Sequence, residues 1–322
     1  MISFIVIGRN EGLKLTKCFE SIFKTIHENH LNNYEVIYVD SNSTDSSIDI
    51  AKNYNINKIF KITGKCNAAI GRNVGATESK GDILCFIDGD IEIVPSFFPL
   101  IYSEMNGLVF PFVSGKLVNF YYDNEGNLIS NDPISPDLED SFENLTMGFF
   151  FLITRNDLFS VEGMRNIFKT GEDHDLGLRL RKNKKLSILR RKEVAAIHYT
   201  IDYHNKDRMW RDLFKGNQIY HRSFLYRKHF LNPFVYQKII RSDYTLLILI
   251  LAIITIIFQS NLYLFIFYFI LIFVKSLVIG KRNSNSLFSQ YFYFVARDLM
   301  NLFGFFLFYP KEVKKIEYDP IL

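Results

Sequence analysis

Two carboxylates one residue apart, Asp88 and Asp90, follow the apolar run Ile83-Leu84-Cys85-Phe86-Ile87, with Gly89 between them. Five apolar, β-forming residues in a row suit a strand buried on both faces, and such a strand delivers the residues at its carboxyl end to the crevice there. Paired carboxylates in that place suit a divalent cation, Mg or Mn, that substrate phosphates also hold. Asp-Gly-Asp is equally the composition of a solvated turn, and the pair alone does not choose between the two. A second acidic group, Glu172, Asp173 and Asp175 around His174, opens a segment that ends in Arg179 and Arg181. That charge order is the one a helix dipole favours, so the three acids belong at a helix N-terminus, as caps or as chemistry.

The elements around these residues alternate. Ser3–Ile7 is a short β-branched and aromatic run that breaks into the turn Gly8-Arg9-Asn10-Glu11-Gly12. Apolar residues then recur at Cys18, Phe19, Ile22, Phe23 and Ile26, one face of a helix. Tyr34–Val39 is a strand closed by Asp40, and Asn42 to Asp45 cap a helix that runs to about Tyr54. Lys58–Ile62 and Ile83–Ile87 are strands on either side of a helix at Ala68–Thr77. Such alternation implies right-handed crossovers and a mostly parallel sheet, a nucleotide-type α/β half in the first ~100 residues. Beyond Pro95 the pattern predicts a helix to Glu104, a strand at Leu108–Val113 and a hairpin around Asp123–Asn127. A polar loop at Asn131–Asp140, a buried strand at Phe149–Thr154 and the helix after Gly171 come next. Two short strands, Leu186–Leu189 and Val194–His198, precede a basic helix from Asp207 to Lys228.

Composition narrows the class. The chain has 322 residues, room for one large domain with an appendage, and its formal charge of +4 gives no reason to expect a nucleic-acid partner. Cys18, Cys66 and Cys85 lie far apart without metal-ligand spacing and read as reduced, structural thiols of a cytosolic compartment. No secretory leader is visible at the N-terminus. Among 32 Phe and 18 Tyr, most of the excess lies in the last third, which points to a membrane. Tyr244–Phe258 and Leu262–Val274 are apolar runs separated by Gln259, Ser260 and Asn261, each shorter than the roughly 20 residues of a spanning helix. A tight transmembrane hairpin and a re-entrant or buried pair therefore both remain open. Arg222, Arg227, Lys228, Lys238 and Arg241 precede the first run and Lys281 and Arg282 follow the second, so the positive-inside rule puts both ends in the cytoplasm. Lys275 can snorkel to that side. Leu287–Tyr309 carries Gln290, Arg297 and Asn301 as one polar stripe, which predicts an interfacial helix.

Five short pieces stand in order: Ser3-Phe4-Ile5-Val6-Ile7-Gly8-Arg9-Asn10-Glu11, Tyr38-Val39-Asp40-Ser41-Asn42-Ser43-Thr44-Asp45, Gly71-Arg72-Asn73-Val74-Gly75-Ala76, Phe86-Ile87-Asp88-Gly89-Asp90 and Gly171-Glu172-Asp173. With them, residues 1–230 resemble the catalytic domain of the family 2 glycosyltransferases. The resemblance implies a GT-A fold, a Rossmann-like mixed α/β sheet that binds nucleotide-sugars, followed here by C-terminal membrane-associated helices over 231–322. These would comprise an apolar hairpin at about 244–279 and the interfacial helix at about 287–309. It also implies an inverting, hexosyltransferase-type enzyme of cell-envelope polysaccharide synthesis. The donor would be a nucleotide-diphosphate sugar, by preference a UDP-sugar, and the acceptor a hydroxyl of a lipid-linked molecule or a glycan. The catalytic domain would face the cytoplasm.

Roles carry over position by position. The resemblance gives Asp88 to the ribose or the metal, Asp90 to the metal, and His198 to the metal site as a third ligand, with His174 competing for that place. Asp173 matches the general base that transfer to a hydroxyl requires, with Glu172 beside it in the donor site. Asp40 contacts the nucleoside and Glu11 the ribose or base. Arg72 lies near the diphosphate, where a guanidinium suits a bidentate contact, and Arg208 and Arg211 close over it beside Trp210. The sequence departs from the family where Ile7-Gly8 replaces a proline-containing loop, where Ser41 replaces a second acid, and in the acceptor strand. There Met147-Gly148-Phe149-Phe150-Phe151 hints at an apolar acceptor. A polyprenyl-phosphate acceptor, already ionised, would need no base. The rival enzyme class is a nucleotidyltransferase, for which Gly8–Gly12 is a poor triphosphate loop, and the rival outside catalysis is a membrane scaffold with a degenerate transferase domain.

Overall fold

The computed structural model describes residues 1–123, 127–132, 139–144, 148–201, 210, 213–214, 218–259, 261–283 and 286–322. Its N-terminal half rests on four parallel strands, β1 (Ile2–Gly8), β2 (Tyr34–Asp40), β3 (Lys58–Ile62) and β4 (Ile83–Asp88), in spatial order β4-β1-β2-β3. Their continuous apolar character reflects burial on both sides. Phe4, Val6, Tyr38, Cys85 and Ile87 pack against α1 (Leu13–Glu28), while Ile5, Ile7, Ile37, Val39, Leu84 and Phe86 pack with α3 (Ala68–Glu78) and α5 (Glu172–Lys184). Two short helices, α2 (Ser47–Lys52) and α4 (Arg155–Phe159), complete the layers.

Beyond β4 the sheet becomes mixed, and this brings the candidate residues together. β5 (Ile91–Ile93) comes directly after the Asp88-Gly89-Asp90 turn, and β6 (Tyr102–Ser103) with β7 (Gly107–Leu108) forms a separate small hairpin. β8 (Phe112–Tyr122) is continued by β9 (Leu128–Asn131), with β10 (Ser141–Glu143) at the sheet edge. β11 (Phe150–Thr154) lies antiparallel between β4 and β8. β12 (Ile188–Ile201) runs parallel to β8 and antiparallel to β5, and its register sets His198 opposite both Ile91 and Asn119.

Several expectations change, among them the strand expected at Leu108–Val113, which is divided between β7 and β8. The helix expected from Pro95 to Glu104 is a 3-10 turn, Pro95–Leu100, in which Pro99 removes an N–H donor. The two short strands near 190 are one fourteen-residue strand with register shifts between Arg190 and Ala196. Its charged middle is satisfied from the side: Arg190 pairs with Glu143 at 3.2 Å and Arg191 with Asp140 at 3.2 Å. The chain also ends in a strand, β13 (Tyr318–Pro320), antiparallel to β3. Tyr318 reaches Glu78 at 2.7 Å and packs edge-on against Phe60, and Asn166 donates to the Val313 carbonyl at 2.9 Å. The edge of β3 is thereby closed.

Compactness accordingly divides the chain into Met1–Asp202 with Lys311–Leu322, and Tyr203–Pro310, in place of a break at 230. The second unit contains α6 (Gln218–Lys228), α7 (Pro233–Ser242), α8 (Tyr244–Gln259), α9 (Tyr263–Asn283) and α10 (Leu287–Leu307). Among the described residues no single helix is long and apolar enough to cross a membrane, although α7 and α8 meet that requirement as a pair bent by 98°. At the bend Asp243 is fully buried, held by Arg222 at 3.3 Å, Arg297 at 3.5 Å and the Tyr226 hydroxyl. The polar stripe of α10 turns inward: Gln290, Arg297 and Asn301 are buried, while Phe288, Phe292, Phe303 and Phe306 are exposed. The polar stripe of α10 is thus turned into the unit, whose interior also holds an apolar cluster of Leu249, Tyr268, Ile272 and Phe294.

Candidate active site

Strands β1 and β4 end side by side, and the turn after each converges on Glu11. Gly89 donates to the Ile7 carbonyl at 2.7 Å, and a Cβ on either Gly8 or Gly89 would stand 3.1 Å from Glu11 Cγ. Any side chain at Gly89 would crowd Glu11 and the Ile7 carbonyl, so glycine suits this close approach. Glu11 is therefore no exposed loop acid. Burial, reinforced by the charge of Asp90, pushes its pKa up to about 7.

Asp90 Oδ2 lies 3.0 Å from His198 Nε2, although the two residues are 108 positions apart. The β5–β12 pairing makes this contact. Two ligand atoms 3.0 Å apart match neighbouring vertices of an octahedron with metal–ligand bonds of about 2.1 Å, so the pair fits one edge of a Mg or Mn site whose other positions phosphate and water oxygens would take. Among the described residues no three His, Cys, Asp or Glu side chains converge as a full ligand set. Asp88, the third expected ligand, instead commits Oδ1 to Arg72 at 2.7 Å.

Arg72 occupies the centre of the site. It is almost fully buried and donates to Asp88, to Glu172 at 2.8 Å and to the Gly148 carbonyl at 2.6 Å. Arg72, expected near the diphosphate, here ties the end of β4 to the start of α5 as an internal clamp. Burial raises the pKa of Asp88 against the pull of Arg72, and burial with the adjacent Asp173 charge raises that of Glu172.

Gly171, at φ +83°, turns the chain into α5 so that three acids occupy its first turn. Asp175 is fully buried between Arg165 at 3.1 Å and Arg179 at 2.7 Å, and Glu172 belongs to Arg72. Among the described residues, Asp173 alone of the three makes no guanidinium contact. Its partner is His174, whose backbone N–H donates at 2.8 Å and whose Nδ1 lies at 3.0 Å. Burial pushes the Asp173 pKa up, but the His174 charge and hydrogen bonds outweigh it and hold the carboxyl below its ordinary range. Asp173 is therefore ionised and free of a structural ion pair to arginine. His174 is turned toward Asp173, while His198 is the histidine that reaches Asp90.

Asp40 ends β2, fully buried, and accepts from the Tyr38 hydroxyl at 3.1 Å and the Ser43 N–H at 2.8 Å. Arg208 and Arg211 lie outside the described residues. The apolar stretch taken as a hint of an apolar acceptor has a structural cause, because Phe150 and Phe151 are buried on opposite faces of β11. Two residues not named from the sequence complete this corner: Asn119 Oδ1 lies 2.9 Å from His198 Nδ1, and Asp132 accepts the Asn119 amide N–H from behind at 2.7 Å. The β8–β12 register brings Asn119 to His198, and the β8–β9 hairpin brings Asp132 to Asn119.

Residues 3–162 match the model of glycosyl transferase family 2. Glycosyltransferase GlyG of Streptococcus pneumoniae serotype 4 is 28% identical over 131 residues, 39% of this chain and 42% of that protein. Glycosyltransferase AglE of Haloferax volcanii is 28% identical over 150 residues, 45% of this chain and 46% of that protein. Each match spans less than half of the curated relative. The mannosyltransferase PcManGT from Pyrobaculum calidifontis, solved with GDP-Man and Mn2+, superposes with a TM-score of 0.59 at 14% identity, over 94% of this chain and 86% of that one, a likeness of fold.

Proposed function

Because its residues 3–162 make this chain a member of glycosyl transferase family 2, we propose that it is an inverting transferase that moves a sugar from a nucleotide-diphosphate sugar to an acceptor hydroxyl. Asp90 and His198 would hold a divalent cation. When bound, that cation neutralises the charge that develops on the departing diphosphate. Asp173 takes the proton from the acceptor hydroxyl, since it is the carboxylate of α5 that is ionised without being spent on an arginine. Arg72 holds Asp88 and Glu172 in register and so fixes the distance between the cation-binding turn and the base. Asp40 and Glu11 border the nucleoside side of the crevice. The observation that carries this reading is the pairing of Asp90 with His198 at the carboxyl end of β4, joined through Asp88 and Arg72 to the helix that bears Asp173.

The helical unit favours a membrane-bound enzyme with a lipid-linked or glycan acceptor. Ile257, Phe258, Phe288 and Phe306 are each more than 60% exposed on one small unit, and a cluster of exposed large apolar side chains is what a membrane or partner surface requires. The decisive experiment is release of nucleotide diphosphate from a panel of UDP-, GDP- and other nucleotide-sugars, with Mg or Mn and with chelator. Turnover of one donor that stops in chelator supports the proposal. Nucleotide release from no donor would sink it.

A further inference from the structure

We infer that Asn119 and Asp132 are positioning residues that fix the tautomer of His198 and thereby make it a metal ligand. The inference rests on Asp90 and His198 holding a cation. The chain of polarity starts at Asp132, whose carboxylate can only accept. It takes the Asn119 amide N–H at 2.7 Å and the Asn119 backbone N–H at 3.1 Å on one oxygen, and the Tyr121 hydroxyl at 3.0 Å on the other. The Asp132 backbone N–H in turn donates to the Asn119 carbonyl at 2.9 Å, so the carboxylate is held against β8 from both sides.

With its nitrogen committed to Asp132, Asn119 must present Oδ1 to the imidazole, and Oδ1 accepts only. His198 Nδ1, 2.9 Å away, therefore carries the proton, and in the neutral ring Nε2 carries the lone pair. That lone pair faces Asp90 Oδ2 at 3.0 Å, an acceptor against an acceptor, which a shared cation resolves. Reversing the Asn119 amide would place an N–H against Nδ1, force the proton onto Nε2 and turn His198 into a donor to Asp90 with no lone pair to offer. Asp132, whose carboxylate bonds go to Asn119 and Tyr121 and to neither the imidazole nor Asp90, decides between these states.

The test uses the full-length protein in detergent. Mn2+ affinity is measured by electron paramagnetic resonance with UDP and, separately, with GDP, and the imidazole nitrogens of the metal-free protein labelled with 15N-histidine are recorded at alkaline pH. Wild type is expected to bind Mn2+ and to show His198 protonated at Nδ1. Asn119→Leu should weaken Mn2+ about 10- to 100-fold, the usual loss when the partner of a ligating histidine is removed, and move the proton to Nε2. The exchanged pair Asn119→Asp with Asp132→Asn keeps the acceptor on Nδ1 and the side-chain bond behind it while giving up the bond from the residue 119 backbone N–H, so it should recover the tautomer and most of the affinity. Wild-type Mn2+ affinity in Asn119→Leu, or an Nε2 proton in wild type, overturns the inference. Failure of the exchanged pair to recover affinity overturns it too, by assigning the loss to the β8–β9 hairpin. Wild type that binds no Mn2+ with either nucleotide overturns the metal proposal on which it rests.

Discussion

Replacing Arg72 with methionine should melt the N-terminal unit long before it alters recognition of the proposed donor. Methionine keeps the apolar stem but leaves Glu172, with a side chain 10% exposed, and Asp88, 31% exposed, without their shared cation. Breaking a buried ion pair from one side costs about 3–5 kcal/mol, and the partial exposure of Asp88 puts the expectation toward the lower end. In a unit of about 200 residues each kcal/mol moves Tm by about 2–4 °C, so the melting temperature should fall by about 6–20 °C. The loss should shrink at acidic pH, because both carboxyls already have raised pKa values and protonate there more readily. Arg72→Lys, which keeps the charge but not the fork, should fall between. Scanning calorimetry measures the shift, and donor binding by titration calorimetry supplies the comparison. A melting temperature within about 2 °C of wild type, together with weakened donor binding, would refute the clamp and return Arg72 to the diphosphate.

Glu11→Gln should stabilise the protein in alkali. The folded pKa of about 7 lies above the ordinary value of 4.5, so the folded state binds the extra proton between these limits and stability falls as pH rises through them. The variant should melt above wild type at about pH 8 and together with it below about pH 4.5; equal melting at the higher pH would be contrary. Tyr318→Ala removes the Glu78 hydrogen bond and the edge contact with Phe60, and should cost about 2 kcal/mol by urea denaturation; a change under about 0.5 kcal/mol would mean that β13 does not secure the sheet edge. The exposed apolar helices predict that the whole chain sediments with membranes and is released by detergent but not by high salt; recovery in the detergent-free supernatant would contradict this.

Strands β1 to β4 were legible within a residue or two because burial on both faces leaves a continuous apolar signal, and Asp88 and Asp90 were legible because that signal stops at them. The meeting of Asp90 with His198 depends on the antiparallel pairing of β5 with β12, which involves a strand of three residues that no periodicity reveals. Arg72 was recognised as important, but its burial is a tertiary fact: an arginine on a helix reads as exposed until two acids from distant segments surround it. β12 was broken in two by the charged run Arg190 to Glu193, in which Arg190 and Arg191 pair with Glu143 and Asp140 of a neighbouring segment and Glu193 pairs with Arg191. β13 went unread because Glu317 to Leu322 is short and polar at its start, and it becomes a strand by pairing with the exposed edge of β3. Likewise Phe149 to Phe151 suggested an acceptor because burial and substrate contact leave the same apolar trace in a sequence.

The division of labour between Asp90 and Asp173 is tested most directly by comparing Asp173→Asn with Asp90→Ala for donor affinity by calorimetry and for initial transfer rate. Asparagine keeps the size of Asp173 but cannot take a proton, so turnover should fall by about 10² to 10⁴ while donor binding holds. Asp90→Ala should lose turnover and cation-dependent donor binding together. Transfer by Asp173→Asn at the wild-type rate, or full activity of Asp90→Ala in chelator, would contradict the proposed site.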